Sequence, residues 1–137
     1  MSTPSALDVV NQFTQLAAST EDLSEIEVFV SPDVDWYMVG DRKVVPWAGK
    51  WEGKKGVSQF YTVLREKTSN EHFNVRDVLT QKDRVVIIGD LATRVKETGK
   101  LIECEFVFDF EVKNGLITRF RPFEDSHAIA IACSVDD

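Results

Sequence analysis

The spacing of apolar residues changes along this chain of 137 residues, and each change marks a different element. Leu7, Val10, Phe13 and Leu16-Ala17 recur at three- and four-residue steps, which lays a single apolar stripe along a helix. Ser5 or Thr3 supplies a capping oxygen for its first free N–H groups, and Ser19-Thr20 close it. A second short helix is predicted over residues 20–30, capped by Thr20 or Asp22, with Leu23, Ile26 and Phe29-Val30 on its buried side and Pro32 as its stop. Residues 34–39 read as a strand ended by Gly40-Asp41. Residues 44–53 hold Pro46, Gly49 and Gly53 and read as a loop carrying Trp47 and Trp51. Residues 53–67 then predict a third helix, with Val57, Phe60-Tyr61 and Leu64 on one side.

From residue 73 onward the period falls to two. Residues 73–79 place Phe73, Val75 and Leu79 on one parity, and residues 84–95 form an apolar, β-branched run after the turn Gln81-Lys82-Asp83. Glu97-Thr98-Gly99-Lys100 is a hairpin turn. Residues 101–112 alternate sharply, with Cys104, Phe106, Phe108, Phe110 and Val112 opposed to Glu103, Glu105, Asp109 and Glu111. Lys113-Asn114-Gly115 predicts a tight hairpin into a returning strand over 116–123. Asp125-Ser126 cap a short last helix through Ala132, and the tail 134–137 is expected to fray. No repeat or linker interrupts this order, so residues 1–137 are read as one α+β domain with its core at about 6–132. An antiparallel meander with helices on one side must curve over them, and a curved sheet closed at one end leaves a cavity at the other.

Composition narrows the partners. Net charge is −7 and the sequence pI is about 4.8, so phosphate backbones and anionic membranes are repelled. Neither nucleic acid nor membrane is expected as a partner. Nine Phe and three Trp can line a cavity as well as fill a core. Cys104 and Cys133 have no metal-like spacing and read as reduced thiols. The opening Met1-Ser2-Thr3-Pro4-Ser5 lacks the basic and apolar regions of a signal peptide, so the expected location is cytoplasmic.

The runs Val34-Asp35-Trp36, Pro46-Trp47-Ala48-Gly49-Lys50-Trp51-Glu52-Gly53-Lys54-Lys55-Gly56-Val57, Lys113-Asn114-Gly115-Leu116-Ile117 and Arg119-Phe120-Arg121-Pro122-Phe123-Glu124-Asp125-Ser126 resemble the SnoaL-like branch of the nuclear-transport-factor-two superfamily. That superfamily includes ketosteroid isomerases, polyketide cyclases and limonene epoxide hydrolases. The resemblance spans residues 6–132. It implies a conical roll: a curved, mostly antiparallel sheet, three N-terminal helices on its concave face and a short C-terminal helix. It also implies a pocket between sheet and helices, and a homodimer.

Carried over residue by residue, the isomerase machinery is missing. That enzyme uses an Asp base with a Tyr and a protonated Asp as oxyanion donors, an example the physical chemistry of pKa tuning makes familiar. A gap-free match puts Tyr37 at the base position, Phe13 at the Tyr position and Phe108 at the second Asp. Phenyl rings neither donate nor accept there, and a phenol near pKa 10 is a poor base at neutral pH. Ketosteroid isomerase chemistry is not expected.

Other groups remain for chemistry. Asp90 interrupts an apolar strand, where its carboxyl is either desolvated or on an exposed face, and Gly89 beside it suggests a bend. Arg119 and Arg121 share parity; either could hold a ligand carboxylate or pair with Glu103 or Glu105. The resemblance makes Glu124 and Asp125 candidates for acid–base work, with helix capping the competing role for Asp125. His127, one turn into the last helix, could couple to Glu124 or simply be exposed. No metal-ligand spacing, nucleophile triad or phosphate loop is present in the sequence, and no cofactor is expected.

The expectation is therefore a pocket for a small, largely apolar molecule, walled by Phe13, Trp36, Tyr37, Met38, Phe60, Phe106 and Phe108. Trp47 and Trp51 would stand at its rim, and Arg121 would reach it. The parity of the first strand, Trp36 inward or Tyr37 inward, is open. The alternative is an acid–base enzyme of the isomerase, cyclase or hydratase type working through Glu124, Asp125, Asp90 or His127.

Overall fold

A computed structural model describes residues 4–135; Thr3, one of the two predicted caps, and the end of the tail lie outside the described residues. Helix α1 (Ala6–Ser19) is capped by Ser5, whose hydroxyl accepts from the Asp8 N–H at 3.1 Å. It buries Val9, Val10, Phe13 and Ala17. The second predicted helix is a 3-10 helix, Leu23–Phe29, and Asp22 caps it by accepting from the Ser24 N–H at 3.0 Å. Pro32 does not stop this segment. The chain turns extended at Val30 and runs as β1 (Val30–Met38), with Pro32 inside the strand.

The loop expected over 44–53 is partly strand. Gly49–Glu52 forms β2, because its backbone pairs antiparallel with β1, Trp36 facing Trp51. Helix α2 (Gly53–Lys67) follows directly and buries Gly56, Val57, Ser58 and Phe60. Strands β3 (Thr68–Gln81), β4 (Arg84–Val95), β5 (Leu101–Lys113) and β6 (Leu116–Phe123) make the antiparallel meander, and α3 (Ser126–Cys133) closes the fold. Asn114 and Gly115 both have positive φ (53° and 78°), which the tight β5–β6 turn requires.

The six strands form one sheet in the order β2-β1-β6-β5-β4-β3. Only the β1–β6 pair is parallel. All three α-helices lie against one face, α1 over β4 to β6, α2 over β1 and β2, and α3 over β5. The alternation of β5 sorts the faces: Ile102, Phe106, Phe110 and Val112 are buried toward the helices, and Glu103 and Glu105 are exposed. On β4 the inward row is Val85, Ile87, Gly89, Leu91 and Val95. Phe73 and Val75 stand opposite Leu91 and Gly89, but a bulge between Val75 and Asp77 shifts the register, so Val78 joins them opposite Ile87. Leu79 therefore falls on the other face, opposite Val86, contrary to the simple alternation.

Candidate functional site

The parity of β1 is settled in favour of the indole. Trp36 is fully buried, and Tyr37 lies on the outer face, 36 % exposed, with the Arg121 guanidinium 5.4 Å from its ring centre. The gap-free isomerase match had turned Tyr37 inward; the regular β1–β2 pairing through Trp36↔Trp51 and Tyr37↔Lys50 leaves no bulge there to do so. Arg121 is outward too. Its Nη2 donates to Asp35 Oδ2 at 2.8 Å and its Nη1 to the Asp35 carbonyl at 3.1 Å, so it ties β6 to β1 and does not reach the helix side. Arg119 donates to Asp109 at 3.0 Å, and Glu105 pairs with Arg76; the expected Arg–Glu103/Glu105 pairing across the hairpin does not form.

Near α1 the hollow is filled. Phe13 packs edge-on against Trp36, Tyr61 and Phe110 with ring centres 5.8–6.3 Å apart, and Phe60 closes on Trp36 at 5.6 Å. Met38 is buried as well. Trp47 is core, not rim, at 3 % exposure. Arg42 explains why: its Nε donates to the Ala48 carbonyl at 2.8 Å, it lies 4.1 Å over the Trp51 ring, and it so folds the loop down. Trp51 is half-buried and donates from Nε1 to the Trp47 carbonyl at 3.1 Å. Two concavities lie elsewhere on the surface. One of about 410 Å³ lies among Gln81–Arg84, Glu111 and Lys113, and another of about 270 Å³ among Pro32–Asp35, Lys50, Glu52 and Gly53. Neither is lined by a predicted pocket residue.

Away from α1 the aromatic surface opens. Phe106 is buried, but Phe108 is half-buried and Phe73 is 49 % exposed. Phe73 stacks on Phe106 at 4.8 Å, and Phe108 lies tilted against Phe106 at 4.3 Å. Phe120 joins this stack to the interior, 5.7 Å from Phe108 and 4.2 Å from Trp36. The sequence reading missed Phe73, Phe110, Phe120 and Tyr61 as neighbours of the wall. Phe120 was hidden between two arginines, and strand parity with Trp36 was the signal that could have found it.

Glu124 follows β6 at this open end. The β5–β6 register pairs Phe108 with Pro122 and Val107 with Phe123, so Glu124 lies one residue beyond the last pair. Glu124 is half-buried and has no hydrogen-bonding or ionic partner among the described residues. Burial pushes its carboxyl up to about 7, because the charged form loses solvation and gains nothing in return. Its charge reaches Cys104, whose thiol is raised chiefly by its own burial. Asp125, next in the chain, instead caps α3 by accepting from the Ala128 N–H at 2.9 Å. His127 is exposed on α3.

Asp90 lies on the outer face. His72 Nε2 meets its Oδ1 at 2.7 Å and Asn74 donates to Oδ2 at 3.2 Å; the His72 contact chiefly holds the carboxyl below the usual carboxylate range. It is therefore removed from the aromatic face. Among the described residues, no three His, Cys, Asp or Glu side chains converge as metal ligands, and no helix is long and apolar enough to cross a membrane.

This architecture, one curved sheet with helices confined to its concave side, is that of the nuclear-transport-factor-two fold. The SnoaL-like domain profile matches residues 10–120, and the chain belongs to that family. Similar solved structures include an NTF2-like protein of Burkholderia xenovorans LB400, with 21% identity and a TM-score of 0.86 over 97% of this chain and 100% of the other. An NTF2-like protein of Burkholderia thailandensis E264 aligns with 20% identity and a TM-score of 0.80 over 96% of this chain and 98% of its own. TerC, co-crystallised with polyporic acid, aligns with 19% identity and a TM-score of 0.72, over 93% of this chain and 97% of its own. At these identities the likeness establishes the fold. No curated protein matches the sequence.

Proposed function

We propose that this SnoaL-like protein binds a small, largely apolar molecule at the open end of its concave face, against Phe73, Phe106, Phe108 and Phe120, with Glu124 as the group that meets the ligand. The observation that carries this reading is the position of Glu124: a half-buried, unpartnered carboxyl at the edge of stacked rings, titrating near 7. Structural carboxylates of folded domains are commonly paired, and an unpaired one in a partly buried setting marks a candidate site. That TerC, of the same fold, was co-crystallised with polyporic acid supports a small-molecule ligand here.

The same carboxyl favours a second reading, acid–base catalysis of the isomerase, cyclase or hydratase type. A group with a pKa near the working pH both gives and takes protons effectively. Ketosteroid isomerisation by the known mechanism is disfavoured: Phe13 and Phe108 have no hydrogen-bond donor, and Tyr37 faces outward. The protein would act as a homodimer in the cytoplasm, as its family resemblance and its sequence imply.

The test is a panel of flat aromatic compounds read by tryptophan fluorescence and melting temperature. Binding is expected to raise the melting temperature, and the affinity of Glu124→Gln for an acidic ligand should no longer change between pH 6 and 8. Asp90→Asn, on the opposite face, should bind as the parent does. Should no compound move either signal, or should Asp90→Asn alter binding as much as Glu124→Gln, the site is wrongly placed.

A further inference from the structure

The elements around the open end supply acid and almost no base. Helix α1 has Asp8 as its single charged residue, and α3 has no Lys, Arg, Asp or Glu. Every arginine of β3 to β6 is engaged on the outer face: Arg76 with Glu105, Arg84 and Arg119 with Asp109, Arg94 with Glu71, and Arg121 with Asp35. Lys113 pairs with Glu111 in the β5–β6 hairpin, and Lys100 is held at the other end of α3, donating to the Ser134 carbonyl at 2.7 Å. The ionisable groups near Glu124 are the Cys104 thiol of β5 and Asp125, next in the chain, while His127 is exposed on α3. No cation acts on Glu124, and burial alone raises its titration.

A partly desolvated carboxylate without a counter-ion repels a ligand anion and attracts a cation more strongly than it would in water. The rings beside it favour the same sign of charge. Cys104 and Phe106 are two residues apart on the inward side of β5, and Phe73, 49 % exposed, stacks on Phe106. The face of a phenyl ring is the negative part of its quadrupole, so it stabilises an ammonium close to it. A ligand carboxylate or phenolate placed here would find neither a basic side chain nor a favourable ring face.

We propose that the open end of the concave face selects a protonated amine on a flat apolar body, the ammonium paired with Glu124 and the body against Phe73 and Phe108. The inference rests on the small-molecule reading above and adds the charge of the ligand. It carries a sign: affinity for the amine rises with pH as Glu124 loses its proton, and affinity for an anion of the same shape falls.

The experiment compares 2-naphthylmethylamine, 2-methylnaphthalene and 2-naphthoate by titration calorimetry at pH 6 and pH 8. An alkylamine stays protonated and a carboxylate stays ionised at both. At pH 8 the amine is expected to bind about tenfold more tightly than 2-methylnaphthalene, and the naphthoate more weakly than either. The amine's affinity should rise about tenfold between pH 6 and pH 8. Glu124→Gln should abolish both the rise and the preference, and Asp90→Asn, on the outer face, should keep them. The parent protein gives a second readout: bound amine draws the Glu124 titration downward, followed by ¹³C at its carboxyl, and bound naphthoate draws it upward. Equal binding of amine and hydrocarbon at pH 8, a preference that survives Glu124→Gln, or one lost in Asp90→Asn overturns the amine assignment. The small-molecule reading then stands if 2-methylnaphthalene binds parent and Asp90→Asn alike. Binding of none of the three at millimolar concentration overturns both.

Discussion

Glu124 and Asp125 are adjacent in the chain and have opposite environments. Asp125 is exposed and its carboxylate accepts from the Ala128 N–H, satisfying a free donor of α3. Glu124 is turned into the protein and meets no donor. One peptide step thus separates a capping carboxylate from a partly buried, unpartnered one. The division follows from strand parity: Phe123 faces solvent at the end of β6, the chain then passes inward at Glu124, and the helix starts at Ser126.

The unpartnered carboxyl makes a signed prediction about stability. In the unfolded chain Glu124 titrates near its ordinary 4.5, and in the folded protein near 7. The folded state therefore holds this proton more tightly, and its stability contribution is complete below pH 4.5. It is lost as pH rises through 7, by about 1–3 kcal/mol. Glu124→Gln removes the titration. The variant should match the parent in urea unfolding at pH 4 and exceed it at pH 8 by that amount. Parallel stability curves for the two proteins across this range would show that the carboxyl is hydrated.

Asp125→Ala serves as the contrast. Loss of the cap should cost about 1 kcal/mol. The loss should be the same at pH 6 and pH 8 and leave the Glu124 titration in place. Unfolding midpoints at both pH values check it. A loss that grows with pH would mean the two carboxyls act as one unit.

The meander was legible because β5 alternates in type and the Asn114-Gly115 turn joins it to β6, although the β5–β6 register shifts between Glu111 and Val112. The helices were legible from their stripes and caps. Two features that depend on distant partners were not. β2 exists because Lys50 and Trp51 find β1, which the glycines of that segment do not announce. The Val75–Asp77 bulge in β3 breaks the alternation that placed Leu79. At the site the sequence left directions open, both for the inward residue of β1 and for the face on which Asp90 stands. Tyr37, Arg121 and Asp90 are all on the outer face, and only pairing with Lys50, Asp35 and His72 reveals it. Glu124 stood out in the sequence, but its lack of partners is a property of the packed protein.

Gly89 carries a second consequence of the sheet's curvature. A Cβ at this position would sit 2.0 Å from the Asn74 carbonyl oxygen and 2.8 Å from the Phe106 ring. The close approach lets β3 bulge opposite it and lets Phe106 lie flat under Phe73. Neither the backbone oxygen nor the buried ring can move freely, so Gly89→Ala should cost about 3 kcal/mol. It should also disturb the Phe73–Phe106 stack, seen as altered near-ultraviolet circular dichroism. Gly99→Ala is the control for lost backbone freedom, since its Cβ would meet nothing within 4 Å even though its φ of +74° makes it strained. If Gly89→Ala costs no more than Gly99→Ala, the contacts at Gly89 are not what demands glycine.

The orientation of β1 gives the last test. Trp36 is enclosed by Phe13, Phe60, Tyr61 and Phe120, whereas Tyr37 lies on the outer face against Arg121. Truncating the indole removes the centre of that cluster, and Trp36→Ala should destabilise by about 3–5 kcal/mol. Tyr37→Ala loses a half-exposed ring and one cation–π contact, worth under about 1 kcal/mol at such a site. Denaturant melts of the two variants separate the possibilities. Comparable losses would mean that Tyr37 shares the interior, and the outward placement of the phenol, with the argument against isomerase chemistry that uses it, would fall.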